Sequence, residues 1–230
     1  MTSPTALIVG AGAGLSAALT RRLRGEGYGV ALAARSVQKL RELELETGAK
    51  AFACDATNAK NVALLFDRVA RELGEPELVV YNASARVRGA LVDLDPGDVE
   101  RSIAVSAFGG FLVSQAAARR MLPRARGVIL LTGASASVKG YAQSAAFAMG
   151  KFALRGLAQS MARELSPLGI HIAHVVIDGA IRPPGQSADP ARADSMLEPD
   201  AIAETYLQLA RQPRSAWSWE IELRPWVERF

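Results

Sequence analysis

Cysteine is nearly absent from this chain. Cys54 is the only one in 230 residues, which excludes an intrachain disulfide and a cysteine-based metal site. Histidine is almost as scarce. His171 and His174 lie three apart beside an expected strand and, without a third ligand, read as structural rather than metal-binding, so no metal is expected. Aromatic residues make up only 6% and are not interleaved with the short basic runs Arg21-Arg22-Leu23-Arg24 and Arg119-Arg120, so a stacking platform for nucleic acid is lacking. The net charge of +4 reads instead as solvated helix faces, and it suits an anionic cofactor. No apolar run is long enough to span a bilayer, and Met1–Gly10 lacks the basic region and long apolar core of a signal peptide. A soluble, cytoplasmic protein is expected.

What is present is a regular alternation. Half of the residues are hydrophobic, and short apolar runs alternate with longer amphipathic ones, the pattern of βαβ units. Strands are expected at 6–9, 30–33, 50–53, 78–81, 128–131, 171–176 and 219–223, with helices at about 14–25, 37–47, 59–74, 97–122, 144–165 and 199–211. Asp95-Pro96 and Glu198-Pro199 mark helix starts, and Ser166-Pro167-Leu168-Gly169 marks a stop. These elements predict one α/β domain over 1–230, a Rossmann-type, doubly wound, seven-stranded parallel sheet. Residues 182–196 are rich in Pro, Gly, Ala and Asp and read as a mobile loop. Trp217, Trp219, Trp226 and Phe230 crowd the last fourteen residues, and Trp219, Ile221 and Leu223 alternate with charged residues. So apolar an edge strand should be covered, which points to self-association as a homodimer or homotetramer.

Val9-Gly10-Ala11-Gly12-Ala13-Gly14-Leu15 follows the first strand and opens a helix. Glycines let backbone approach a pyrophosphate, and the helix start offers free N–H groups. Gly10, Gly12, Gly14 and Leu15 are therefore candidate dinucleotide contacts. NAD-selective folds carry an acid after the second strand, to accept from the ribose hydroxyls. Here Ala34-Arg35 has none, and the Arg35 cation suits a 2′-phosphate, so NADP is expected over NAD.

In order and position these motifs resemble the short-chain dehydrogenase/reductase family. Gly10 and Gly14 match its Thr-Gly-x-x-x-Gly-x-Gly signature, while Val9 and Ser16 depart from it. The resemblance implies that Asp55-Ala56 meets the adenine and that Tyr81-Asn82-Ala83-Ser84 stands for Asn-Asn-Ala-Gly. It also places Asp178-Gly179-Ala180-Ile181 beside the nicotinamide, ahead of a substrate lid at about 180–197. Asn82, Ala83, Gly179 and Ile181 thus join the implied cofactor contacts.

The catalytic set is another matter. Phe147 and Lys151, four apart and so on one helix face, have the spacing of the family's Tyr-x-x-x-Lys, but Phe147 has no proton to give. The resemblance assigns Lys151 to the nicotinamide ribose. Counting back thirteen from Phe147 reaches Ala134, where the family has Ser, with Ser135 beside it; the family's Asn position falls on Ser106. Tyr141 is the one plausible substitute donor, although an anchor for its own loop is the plainer role. The chain is similar to a subgroup with Phe at the Tyr position. Two readings stand: an NADP-dependent oxidoreductase acting on a small-molecule carbonyl or alcohol with a degenerate site, or a catalytically inactive NADP-binding protein.

Overall fold

The computed structural model describes residues 3–187, 189, 192 and 194–228; Phe230 and four residues of the expected lid lie outside them. Seven strands form one parallel sheet: β1 Thr5–Val9, β2 Gly29–Ala34, β3 Lys50–Ala53, β4 Pro76–Tyr81, β5 Gly127–Thr132, β6 Ile170–Ile177 and β7 Glu220–Leu223. The spatial order is β3-β2-β1-β4-β5-β6-β7, so the winding reverses between β1 and β4. A crevice at the carboxyl ends of strands belongs at such a reversal. The central strands are nearly continuous apolar runs because helices cover both faces; all eight residues of β6 are buried.

Helices α1 Leu15–Gly25, α2 Arg41–Thr47 and α7 Pro199–Arg211 pack on one face. On the other lie α3 Ala59–Leu73, α5 Gly109–Met121 and α6 Ala145–Leu165, with α4 Pro96–Ile103 leading into α5. The caps follow local chemistry. Asn58 accepts from the Lys60 and Asn61 amides and Asp95 from Asp98, whereas Glu198 caps nothing with its side chain and relies on Pro199.

The expected single helix over 97–122 is interrupted by a π-turn at Ala104–Phe108. The buried Tyr81 hydroxyl donates to the Val105 carbonyl, and a Cβ would collide at Gly109 with the Tyr81 hydroxyl and at Gly110 with Leu154. The extra residue of this turn is a π-bulge of the kind found near functional sites.

The strand expected at 219–223 begins one residue later, and both of its faces are used. Ile221 and Leu223 join the core beside α7. Glu220, on the opposite face, accepts from Arg155 at 2.6 and 2.7 Å and pairs with the His174 Nδ1 at 2.9 Å; the His174 Nε2 lies 3.3 Å from the Ser137 hydroxyl. His174 is fully buried, and desolvation lowers its pKa to about 4 in spite of the carboxylate. The imidazole is therefore neutral, with Nδ1–H donating to Glu220 and Nε2 accepting from Ser137. Burial pushes the Glu220 carboxyl up, but hydrogen bonds from Arg155 and His174 outweigh it and lower its pKa.

A base whose pKa is depressed on folding contributes stability at pH above its unfolded value of 6.5, and that contribution is lost as pH falls toward 4. Unfolding free energy from urea melts is expected to drop by about 1.4 kcal/mol per pH unit for this one proton across that window. An NMR titration of His174 giving an ordinary imidazole pKa contradicts the assignment.

Candidate active site

At the β1–β4 reversal the chain doubles back so tightly that Gly10 (φ +88°) lies against the Asn82–Ala83 backbone, where a Cβ would overlap the Ala83 nitrogen. Only glycine fits this contact in this conformation. Both Gly10 N–H and Ala11 N–H donate to the Ala33 carbonyl, at 2.9 and 3.0 Å, tying the loop to β2. Ser16 completes the anchorage. Its hydroxyl donates to the Gly10 carbonyl at 3.2 Å and accepts from the Asn82 Nδ2 at 2.8 Å. The departure from the glycine signature at Ser16 thus supplies a hydrogen bond where the loop turns. Asn82, expected to meet a ligand, spends its side-chain amide on the loop.

Beyond this anchor the loop is open, since a Cβ at Gly12 or Gly14 would meet nothing within 4 Å. Two adjoining hollows surround it. One, of about 430 Å³, is lined by Gly10, Gly12, Arg35, Asp55, Ala56, Asn82 and Ala83, and the other, of about 290 Å³, by Gly10, Gly12, Gly14, Leu15, Asn82 and Ile181. Most of the residues assigned to a dinucleotide from sequence therefore share one continuous crevice. Lys39, which the sequence reading missed, stands in the first hollow with Arg35, on the short 3-10 turn Val37–Leu40. Neither cation has a carboxylate within ion-pair distance among the described residues. Hydrogen bonds from the Thr57 hydroxyl and amide, helped by Arg35, hold the Asp55 carboxyl below its usual range. Cys54 also lines this hollow, but desolvation raises its thiol to about 11, so it is no nucleophile at neutral pH.

Two assigned residues lie outside both linings. Gly179 (φ +151°) packs under the Pro225 ring. Lys151 is buried, its ammonium donating to the Thr132 carbonyl at the end of β5 at 2.7 Å. Desolvation, and then the charge of Arg86, lowers the Lys151 pKa to about 8. The expected lid begins and ends at one place, because Ile181 and Leu197 are bridged and Arg182 pairs with Glu198 at 2.5 Å.

Phe147 and Lys151 do share a face of α6, with the ammonium 5.8 Å from the ring centroid. The ring also carries a cation that the sequence did not reveal: the Arg86 guanidinium lies 4.3 Å above its centroid. Ser135 and Tyr141 line the hollow in front of Phe147, and Tyr141 is 49% exposed. Ser106, at the family's Asn position, is fully buried and accepts from the Ala85 amide at 3.3 Å. His171 stacks on Trp217 and bonds the Ser218 carbonyl, so both histidines serve the fold.

A doubly wound sheet with a glycine-lined crevice at its reversal point defines a dinucleotide-binding class of protein. The short chain dehydrogenase family model matches residues 4–189, and the chain belongs to that family of oxidoreductases. It is 29% identical over 212 residues to sorbitol-6-phosphate 2-dehydrogenase of Escherichia coli (strain K12), covering 88% of this chain and 82% of that protein. A crystallised short-chain dehydrogenase from Rhodopseudomonas palustris matches with a TM-score of 0.84 and 32% identity, over 97% of this chain and 99% of that one. A metagenomic short-chain oxidoreductase solved in complex with NADP matches with a TM-score of 0.85 and 30% identity, over 98% of each chain. Among the described residues no helix is long and apolar enough to cross a membrane.

The depressed pKa of Lys151 has a consequence for stability. A buried ammonium destabilises the fold at pH below about 8, and the penalty fades as pH rises toward 10.5. Lys151→Met is expected to raise the unfolding free energy at pH 7 by on the order of 1–3 kcal/mol, an advantage that shrinks near pH 10. Denaturant melts at the two pH values check this; a variant less stable than its parent at pH 7 contradicts it.

Proposed function

We propose that the chain is an NADP(H)-dependent oxidoreductase that interconverts a small carbonyl compound and its alcohol, working with an active site of the Phe-for-Tyr kind. The observation that carries this reading is the open crevice running from Gly12 and Gly14 to the cations Arg35 and Lys39. The NADP held by the metagenomic relative agrees with it.

In this reading the amides around Gly12 and Gly14 bind the pyrophosphate, Arg35 and Lys39 the 2′-phosphate, and Asp55 and Ala56 the adenine. Gly179 and Ile181 flank the nicotinamide end, and Lys151 serves the nicotinamide ribose. When bound, NADPH supplies the hydride for a carbonyl carbon. The oxygen of that carbonyl needs a proton that Phe147 lacks. The hydroxyls of Ser135 and Tyr141 face the same hollow and are positioned to orient the oxygen, with the proton drawn from water. A positioned general acid contributes about 10²–10⁴-fold, so turnover without one is slow rather than absent. A second reading, a cofactor-binding protein without turnover, is favoured by Phe147 together with Ser106, whose hydroxyl is turned to the Ala85 backbone.

Fluorescence titration is expected to give tighter binding of NADPH than of NADH. Removing a charge-assisted contact in Arg35→Ala should weaken NADPH about 10–100-fold and leave NADH nearly unchanged. Equal loss for both cofactors would contradict the assignment. A carbonyl screen with NADPH then separates the two readings: slow turnover by the wild type supports the first, and turnover found in Phe147→Tyr alone supports the second.

We also propose self-association through the π-turn, α5 and α6, where Phe108, Phe111, Met149 and Phe152 are exposed, and through the Trp219–Trp226 end. Sedimentation at micromolar concentration should find a dimer or tetramer. Monomer alone would refute it.

A further inference from the structure

Beside the crevice lies a separate hollow of about 330 Å³, whose walls include Arg86, Arg88, Ser135, Tyr141, Ser144 and Phe147. The segment leaving β4 connects the two: Asn82, Ala83 and Ser84 line the crevice, and Arg86 and Arg88 line the hollow. This segment is fastened at both ends. The Ala85 carbonyl accepts from the Ser102 hydroxyl at 2.9 Å, the Ala85 amide donates to Ser106, and the Gly89 amide donates to the carbonyl of Gln143 across the hollow at 3.2 Å.

The two arginines are not among those of this chain that hold a carboxylate. Arg21, Arg22, Arg120, Arg126, Arg155 and Arg211 each hold a carboxylate. Arg86 and Arg88 have no carboxylate within ion-pair distance among the described residues, although they lie close enough to repel each other. Arg86 is instead seated on the face of Phe147. Two like charges held together in a concave site without a counter-ion leave an anion to be supplied from outside.

We propose that this hollow is a substrate pocket for carbonyl compounds and alcohols that bear an oxyanion group, a carboxylate or a phosphate monoester, with Arg86 and Arg88 as the residues that select them. The proposal deepens the oxidoreductase reading and rests on it for the identity of the reacting group. Phe147 then has a function that a tyrosine would share only in part: its ring is the seat that aims Arg86 into the pocket. Ser135, Ser144 and Tyr141 supply hydroxyls for the rest of the substrate.

The test is calorimetric titration of the whole chain, alone and with saturating NADPH, using two matched pairs: dihydroxyacetone phosphate against dihydroxyacetone, and levulinate against 2-pentanone. The charged member of at least one pair should bind about tenfold or more tightly than its neutral partner. Which pair shows the preference tells phosphate from carboxylate. Arg88→Gln and Arg86→Gln, changes to exposed side chains outside any ion pair, should each reduce that preference about tenfold, with NADPH binding retained. Equal binding within both pairs would overturn the proposal. So would a preference that survives both substitutions, or displacement of the phosphate probe by NADPH, which would place the anion in the cofactor crevice. A preference that depends on the arginines in a protein that fails to bind NADPH would uphold the pocket and remove only the oxidoreductase reading.

Discussion

The contact between Gly10 and the Asn82–Ala83 backbone is the constraint on which the rest of the site is built. It joins the ends of β1 and β4, the two strands between which the sheet reverses its winding. A side chain at residue 10 would force them apart. Because they meet, the Gly12–Gly14 turn stands clear of the sheet with space above it, and the Ser16–Asn82 pair can lock it from beneath. Pre-forming a backbone cradle in this way lowers the ordering cost of binding. Residues 34–39 and 55–57 then only have to present charges to a cavity that already exists.

A second centre, at the end of β5, is organised by burial rather than by close backbone approach. Thr132 uses its carbonyl to hold the Lys151 ammonium and its hydroxyl to meet the Tyr206 phenol at 2.8 Å. The next turn, through Ser137, is braced by the neutral His174 and so by Glu220 and Arg155. Residues from β5, β6, β7 and α6 thus set the floor beneath Phe147. Above it the guanidinium of Arg86 occupies the ring face. Phe147 thus has two cations beside its ring, Arg86 at 4.3 Å and Lys151 at 5.8 Å from the centroid.

The fold was legible because parallel strands buried on both faces read as apolar runs, and all seven lie where those runs are. The glycine loop and Arg35 were legible because a dinucleotide places chemistry at fixed offsets from strand ends. What escaped notice depends on partners far apart in the chain. Ser16 looked like a tolerated departure, and its bond to Asn82 spans 66 residues. Glu220 was one of the charged residues alternating with Trp219, Ile221 and Leu223, and its bonds to His174 and Arg155 span 46 and 65 residues. Within the π-turn the Val105 carbonyl accepts from the Tyr81 hydroxyl, 24 residues away. Arg86 lies in a stretch without a motif, and only the folded chain places it on Phe147. Lys39 lies on the short 3-10 turn that follows the bend at Arg35, and only the folded chain brings the two to one hollow.

Every role proposed for these residues requires a dinucleotide lying along the strand ends with its reactive end beside Phe147. A crystal structure of the chain grown with NADPH tests this most directly. The expected density has the pyrophosphate on the Gly12–Gly14 amides, the 2′-phosphate between Arg35 and Lys39, and the nicotinamide ring next to Phe147 with Arg86 still on the opposite side of the pocket. Density that places the cofactor elsewhere, or a crevice filled by side chains at full NADPH occupancy of the solution, would contradict it.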